Sequence, residues 1–130
     1  MNIELKEIDK DTLKVGDVVG IAREVSYGWG LSFRHKLIFP AQITRITPKR
    51  TKFFTDKFGE HDKREVFYEC DSEAARENFL AKTFRDIQDG IFELTESKRK
   101  DRIRKISDED LPEVARYMKA ITEILKKYKE

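Results

Sequence analysis

The chain has 130 residues, with 27 Lys and Arg against 25 Asp and Glu, so 40% of it is charged yet the net charge is only +2. The length suits one domain, and a single cysteine, Cys70, excludes a disulfide framework. No apolar run approaches the ~18 residues that a membrane span needs, and the first residues lack the basic and apolar regions of a signal peptide. A cytoplasmic protein with no membrane partner is therefore expected.

The first half reads as β. Leu13 to Val19 is a short lead-in, a Gly16-Asp17 turn and the start of a strand, in which Val19, Ile21 and Val25 share a face because side chains alternate with a period of two. Ser26 to Gly30 interrupts it with two glycines around Trp29. Strand resumes from Leu31 towards Phe39, where Pro40 predicts a break because it has no N–H for a ladder. Ala41 to Ile46 reads as another strand, and Thr47 to Arg50 as a turn in which Pro48 presets the first central angle. Thr51 to Thr55 is strand-like, Asp56 to Asp62 reads as a polar loop around Gly59, and Arg64 to Tyr68 returns as a strand. Five short strands separated by turn signals predict a small barrel or a strongly bent sheet.

The second half changes period. After Asp71 or Ser72, either a plausible N-cap, Leu80, Phe84, Ile87, Ile91 and Leu94 recur at helical spacing. Leu111, Val114, Met118, Ile121, Leu125 and Tyr128 repeat the pattern, with Asp110 and Glu113 resembling a capping box and Pro112 in the first turn. These stripes predict helices packed on each other or on the sheet.

The small net charge hides segregation. Residues 16–55 carry a local +5 and residues 95–106 a local +4, while the rest sums to −7. In the connector, Lys98, Arg99, Lys100, Arg102, Arg104 and Lys105 are six cations within eight residues, a pattern suited either to phosphate contact or to a solubilising linker. Tyr27 and Trp29 form the second candidate group. Their rings could stack on bases or on a partner's side chains, or Trp29 could plug one end of the core. Arg34 and Lys36 follow on the next strand, and Arg45, Lys49, Arg50 and Lys52 surround the proline turn. If all of these share a face, the barrel presents aromatics ringed by cations.

Other chemistry finds little footing. His35, His61 and Cys70 lack ligand-like spacing, so no metal or cofactor is expected. Cys70 reads as a small buried residue, and Glu60, Asp62, Glu65 and Glu69 as solvated surface rather than a catalytic set. Gly28 and Gly30 lack the helix and Lys-Ser/Thr pair of a phosphate loop. No enzymatic role is expected.

The phrase Leu13-Lys14-Val15-Gly16-Asp17-Val18-Val19 resembles the opening strand of SH3-like β-barrels, and Ala41 to Phe53 is similar to the strand, basic turn and strand of small phage and prophage accessory proteins of that type. The likeness covers roughly residues 13–70. It implies a small binding module, since such proteins include nucleic-acid binders and inhibitors of host defence systems, anti-CRISPR proteins among them. The expected fold is α+β: a single domain over 1–130, with an SH3-like antiparallel β-barrel or bent sheet at 13–70 followed by two amphipathic helices. The expected function is nucleic-acid binding through Tyr27, Trp29 and the cations named above, with inhibition of a host protein as the alternative.

Overall fold

The computed structural model describes residues 3–96 and 100–128. It is α+β: a curled four-stranded antiparallel sheet, a half-barrel, comes first and helices follow. The chain divides into two compact units, Met1–Gln88 and Asp89–Glu130. The division falls inside the first helix rather than at the sheet-to-helix junction near residue 70.

In the first unit, β1 (Val18–Gly28) pairs with β2 (Leu31–Ile46), then β3 (Lys52–Thr55) and β4 (Gly59–Asp62) complete the order β1-β2-β3-β4. Val19, Ile21 and Val25 all point inward, as their alternation requires. Val19 and Ile21 join Leu13, Ala41, Ile43, Phe53 and Phe67 in the main core. The sheet curls far enough for Tyr68 to pair with both Gly20 and Glu7. Arg64 to Tyr68, predicted as a fifth strand, therefore contributes only these isolated bridges. Gly20 has no room for a side chain there, since a Cβ would lie 3.0 Å from both the Tyr68 carbonyl oxygen and Ile38 Cγ2.

Pro40 does not break β2, contrary to expectation. It lies opposite Gly20, whose N–H and carbonyl are both bonded to Tyr68 on the other side (2.7 and 3.0 Å). Gly20 and Pro40 are thus a pair that exchanges no hydrogen bond, and the missing N–H falls on the outer edge of β2. Along that edge the Lys36 amide donates to Glu77 Oε2 (2.8 Å), the Ile38 amide to Asn78 Oδ1 (2.8 Å) and the Gln42 amide to Asp56 Oδ1 (2.9 Å). Proline occupies the one position in this alternation with no acceptor to meet.

Asp56 to Asp62, expected as a loop, ends in a strand, β4. Gly59, at φ +67°, turns the chain after three residues, and β4 pairs Phe53 with His61 and Thr55 with Gly59. A Gly-Glu-His-Asp strand carries no apolar alternation, which is why it reads as loop.

Helix α1 (Ser72–Thr95) starts at Asp71, whose Oδ1 accepts the Ala74 amide (2.9 Å). Its buried residues are Ala74, Glu77 and Ala81, with Phe84 packed beside Val25 and Leu37. Spacing is helical, but the face differs from the predicted stripe: Ile87 and Ile91 are more than half exposed. Alanines let the helix backbone approach the sheet closely, and Glu77 and Asn78 supply acceptors to the β2 edge.

The second unit contains the end of α1, a short helix α2 (Lys100–Arg104) inside the predicted connector, and α3 (Leu111–Leu125). Asp110 precedes α3 without a side-chain capping bond, so the predicted capping box does not form. Within this unit Ile91 of α1 and Ile121 and Leu125 of α3 are each more than half exposed. Among the described residues no helix is long and apolar enough to cross a membrane.

Candidate binding site

The β1–β2 hairpin ends in a two-residue turn. Gly28 pairs with Leu31, and Gly30 takes a left-handed φ of +67° that its lack of a Cβ permits. Trp29 occupies the other turn position, where its side chain is 100% exposed. Tyr27 and Leu31 flank it, each 50% exposed. Trp29 therefore does not plug the core. The hairpin's root is anchored to α1 by rings: Phe33 lies flat on Phe84 (centroids 3.9 Å apart, planes 2° apart), and Tyr27 meets Phe84 edge-on at 6.1 Å. Gln88 Nε2 donates to the Ser26 carbonyl (2.8 Å). Arg34 places its guanidinium 4.8 Å from the Phe33 ring centre, and Tyr27, Ser32, Phe33, Arg34 and Phe84 line a shallow groove of ≈ 380 Å³. Anchored root and bare tip together present an aromatic surface held in place from below.

The predicted cations do not all surround this tip. Arg34 and Lys36 lie at its end of β2, while Arg45 is eleven residues further on, about 36 Å along extended chain. Arg45 stacks over Phe54 at 5.2 Å, and Lys52 pairs with Glu60 at 3.4 Å. Lys49 is exposed in the turn between β2 and β3. Arg50 is committed to the fold: its Nη2 donates to the carbonyls of Lys10 (2.5 Å) and Leu13 (2.8 Å). In the second unit Arg102 pairs with Glu93 (3.3 Å) and Arg104 with Asp101 (2.5 Å), and Lys105 is exposed. Lys98 and Arg99 lie outside the described residues, and Lys100 opens α2.

No protein-family model, curated protein or solved structure matches the chain.

Two histidine networks went unseen in the sequence. His61, only 2% exposed, shares a 2.8 Å hydrogen bond between Nε2 and Thr55 Oγ1, while its Nδ1 meets Glu65 Oε2. Glu65 Oε1 accepts from Arg23 Nη1 at 2.9 Å, and Arg23 stacks 4.8 Å above Phe58. Glu65 is thus part of a partly buried network and not solvated surface. Burial opposes its ionisation, but hydrogen bonds from His61 and Arg23 prevail and hold its carboxyl below the ordinary 4.5. Hydroxyl, imidazole and carboxylate in series have the order of a nucleophile triad. Here, however, Thr55 is 4% exposed and its Oγ1 already accepts the Phe58 amide (3.2 Å), so the chain of bonds ties β3 to β4. The second network joins His35 Nδ1 to Glu77 Oε1 at 2.6 Å. Neither was legible, because both join residues whose proximity depends on the tertiary fold or on an irregular turn.

Among the described residues no cluster of three or more His, Cys, Asp or Glu could hold a metal ion. Cys70 is exposed rather than buried, against expectation. Partial burial and the Asp71 carboxylate both raise its thiol pKa above the ordinary 9.0, which disfavours the nucleophilic thiolate.

Proposed function

We propose that the protein is a non-enzymatic interaction module that grips a protein partner with the tip of the β1–β2 hairpin. One observation carries this reading: Trp29 stands fully in water between half-exposed Tyr27 and Leu31, on a hairpin whose root is fixed by the Phe33–Phe84 stack. Burying one large apolar side chain is worth about 2–3 kcal/mol, which Trp29 forgoes in the free chain and a partner's pocket would recover. Trp, Tyr and Arg are the residue types that dominate protein contact energies, and here they are Trp29, Tyr27 and Arg34. The anchored root keeps the entropy cost of docking small. The likeness to phage accessory proteins makes a host enzyme the class of partner to look for.

Nucleic-acid binding remains the second reading, favoured by Arg34, which lines the same groove as half-exposed Tyr27. Its weakness is charge: Arg50, Lys52, Arg102 and Arg104 already hold intramolecular acceptors. The deciding experiment captures partners from nuclease-treated lysate on wild type and on Trp29→Ala, and titrates both with labelled single-stranded oligonucleotides. A specific protein retained by wild type at high salt and lost from the variant supports the first reading. Oligonucleotide affinity that falls steeply with salt and is lost in the variant transfers support to the second.

A further inference from the structure

Helix α3 has no buried residue. Leu111, Met118, Ile121 and Leu125 are 41–62% exposed along one face, Val114 is partly buried, and Tyr128, 74% exposed, lies in the 3-10 turn Lys126–Tyr128 that continues the helix. The positions flanking this stripe, Ala115, Tyr117, Thr122 and Ile124, carry no charge, whereas Glu113, Arg116, Lys119 and Glu123 fall on the far side of the helix. Such a face is built to meet another apolar surface across its full width.

Two features identify that surface as a second copy of α3. First, the stripe's spacing of three, four, three, four and three reads the same from either end. A two-fold axis between Lys119 and Ala120 sets Leu111 against Tyr128 of the second copy, Val114 against its Leu125 and Met118 against its Ile121. Every layer is then repeated by symmetry, as a self-complementary dimer contact requires. Second, the helix is polar end to end in charge. Asp108, Glu109, Asp110 and Glu113 crowd its start, while Arg116, Lys119, Lys126 and Lys127 follow with only Glu123 against them. Antiparallel copies bring each acidic end to the other's basic end and oppose the helix dipoles. Parallel copies would set acidic end against acidic end. Seven of these side chains, each 41–74% exposed, offer on the order of 600 Å² per copy, near the ~800 Å² per partner of a stable interface.

We propose that α3 is a homodimer interface in which two copies of the chain pack antiparallel about an axis between Lys119 and Ala120. This surface is distinct from the hairpin tip, so the two readings stand or fall separately. Sedimentation velocity on the full chain across micromolar concentrations tests it. The expected result is a dimer, with Ile121→Glu raising the dissociation constant roughly 100-fold or more because the two-fold axis repeats the lesion. Because Ile121 is exposed, the variant should keep its helical circular dichroism. Orientation is read in a Cys70→Ser background from Leu111→Cys and Tyr128→Cys, oxidised singly and mixed. Disulfide-linked dimers should form in the mixture and not from either variant alone. A monomer at every concentration, a dimer indifferent to Ile121→Glu, a dimer dissolved by Trp29→Ala, or efficient cross-linking of Leu111→Cys alone would each overturn the proposal.

Discussion

Glu77 takes the Lys36 amide on one carboxylate oxygen and the His35 ring on the other, joining α1 to the outer edge of β2 through a side chain that is almost wholly buried. Removing it by Glu77→Ala leaves a strand amide without its acceptor. The expected loss is about 2 kcal/mol, on the order of 10 °C in Tm. Glu77→Gln keeps an amide oxygen for Lys36 and should lose less. Thermal unfolding of both variants, with hydrogen exchange at the Lys36 amide, checks this. Unchanged protection in Glu77→Ala would show that the amide does not depend on the carboxylate.

Arg50 sits at φ +57°, the left-handed region where non-glycine residues are strained, and is kept there by its bonds to the Lys10 and Leu13 carbonyls. Arg50→Ala retains the strain and loses both bonds, so urea denaturation should show about 2–3 kcal/mol of destabilisation. Arg50→Gly loses the bonds but relieves the backbone, and should recover up to about 1 kcal/mol of that. Were Arg50→Ala as stable as wild type yet deficient in ligand binding, the guanidinium would belong to a binding surface.

Glu65 ionises more readily folded than unfolded, because the bonds from His61 and Arg23 outweigh the effect of burial. A lowered carboxylate pKa contributes stability that is full above the ordinary 4.5 and is lost as pH falls through the lower folded value. The gap in Tm between wild type and Glu65→Gln should therefore be widest near neutral pH and shrink below 4.5. A gap that stays constant from neutral pH to pH 3 would remove the carboxylate's charge from the explanation.

Sequence reading succeeded where one local rule acted alone. Alternation was enough to face Val19, Ile21 and Val25 inward, and Pro48 placed the turn between β2 and β3. It failed where a long-range partner changed what a residue needed. Pro40 looked like a strand breaker until Gly20 was seen to spend both its backbone groups on Tyr68. Nothing local to Glu77 shows that a strand edge will meet its carboxylate. At the candidate site the hairpin's Gly-Trp-Gly tip was visible, but its distance from the Arg45–Lys52 cations was not, since that depended on β2 running unbroken through Pro40.

The outer edge of β2 has one more consequence. An uncovered strand edge is a template on which a foreign strand can be added, and many peptide-binding domains capture their ligands that way. From Lys36 to Gln42 this edge offers no such template: Glu77, Asn78 and Asp56 occupy three of its amides and Pro40 supplies none. Along that stretch recognition by main-chain zippering is closed off, and specificity has to be written in side chains.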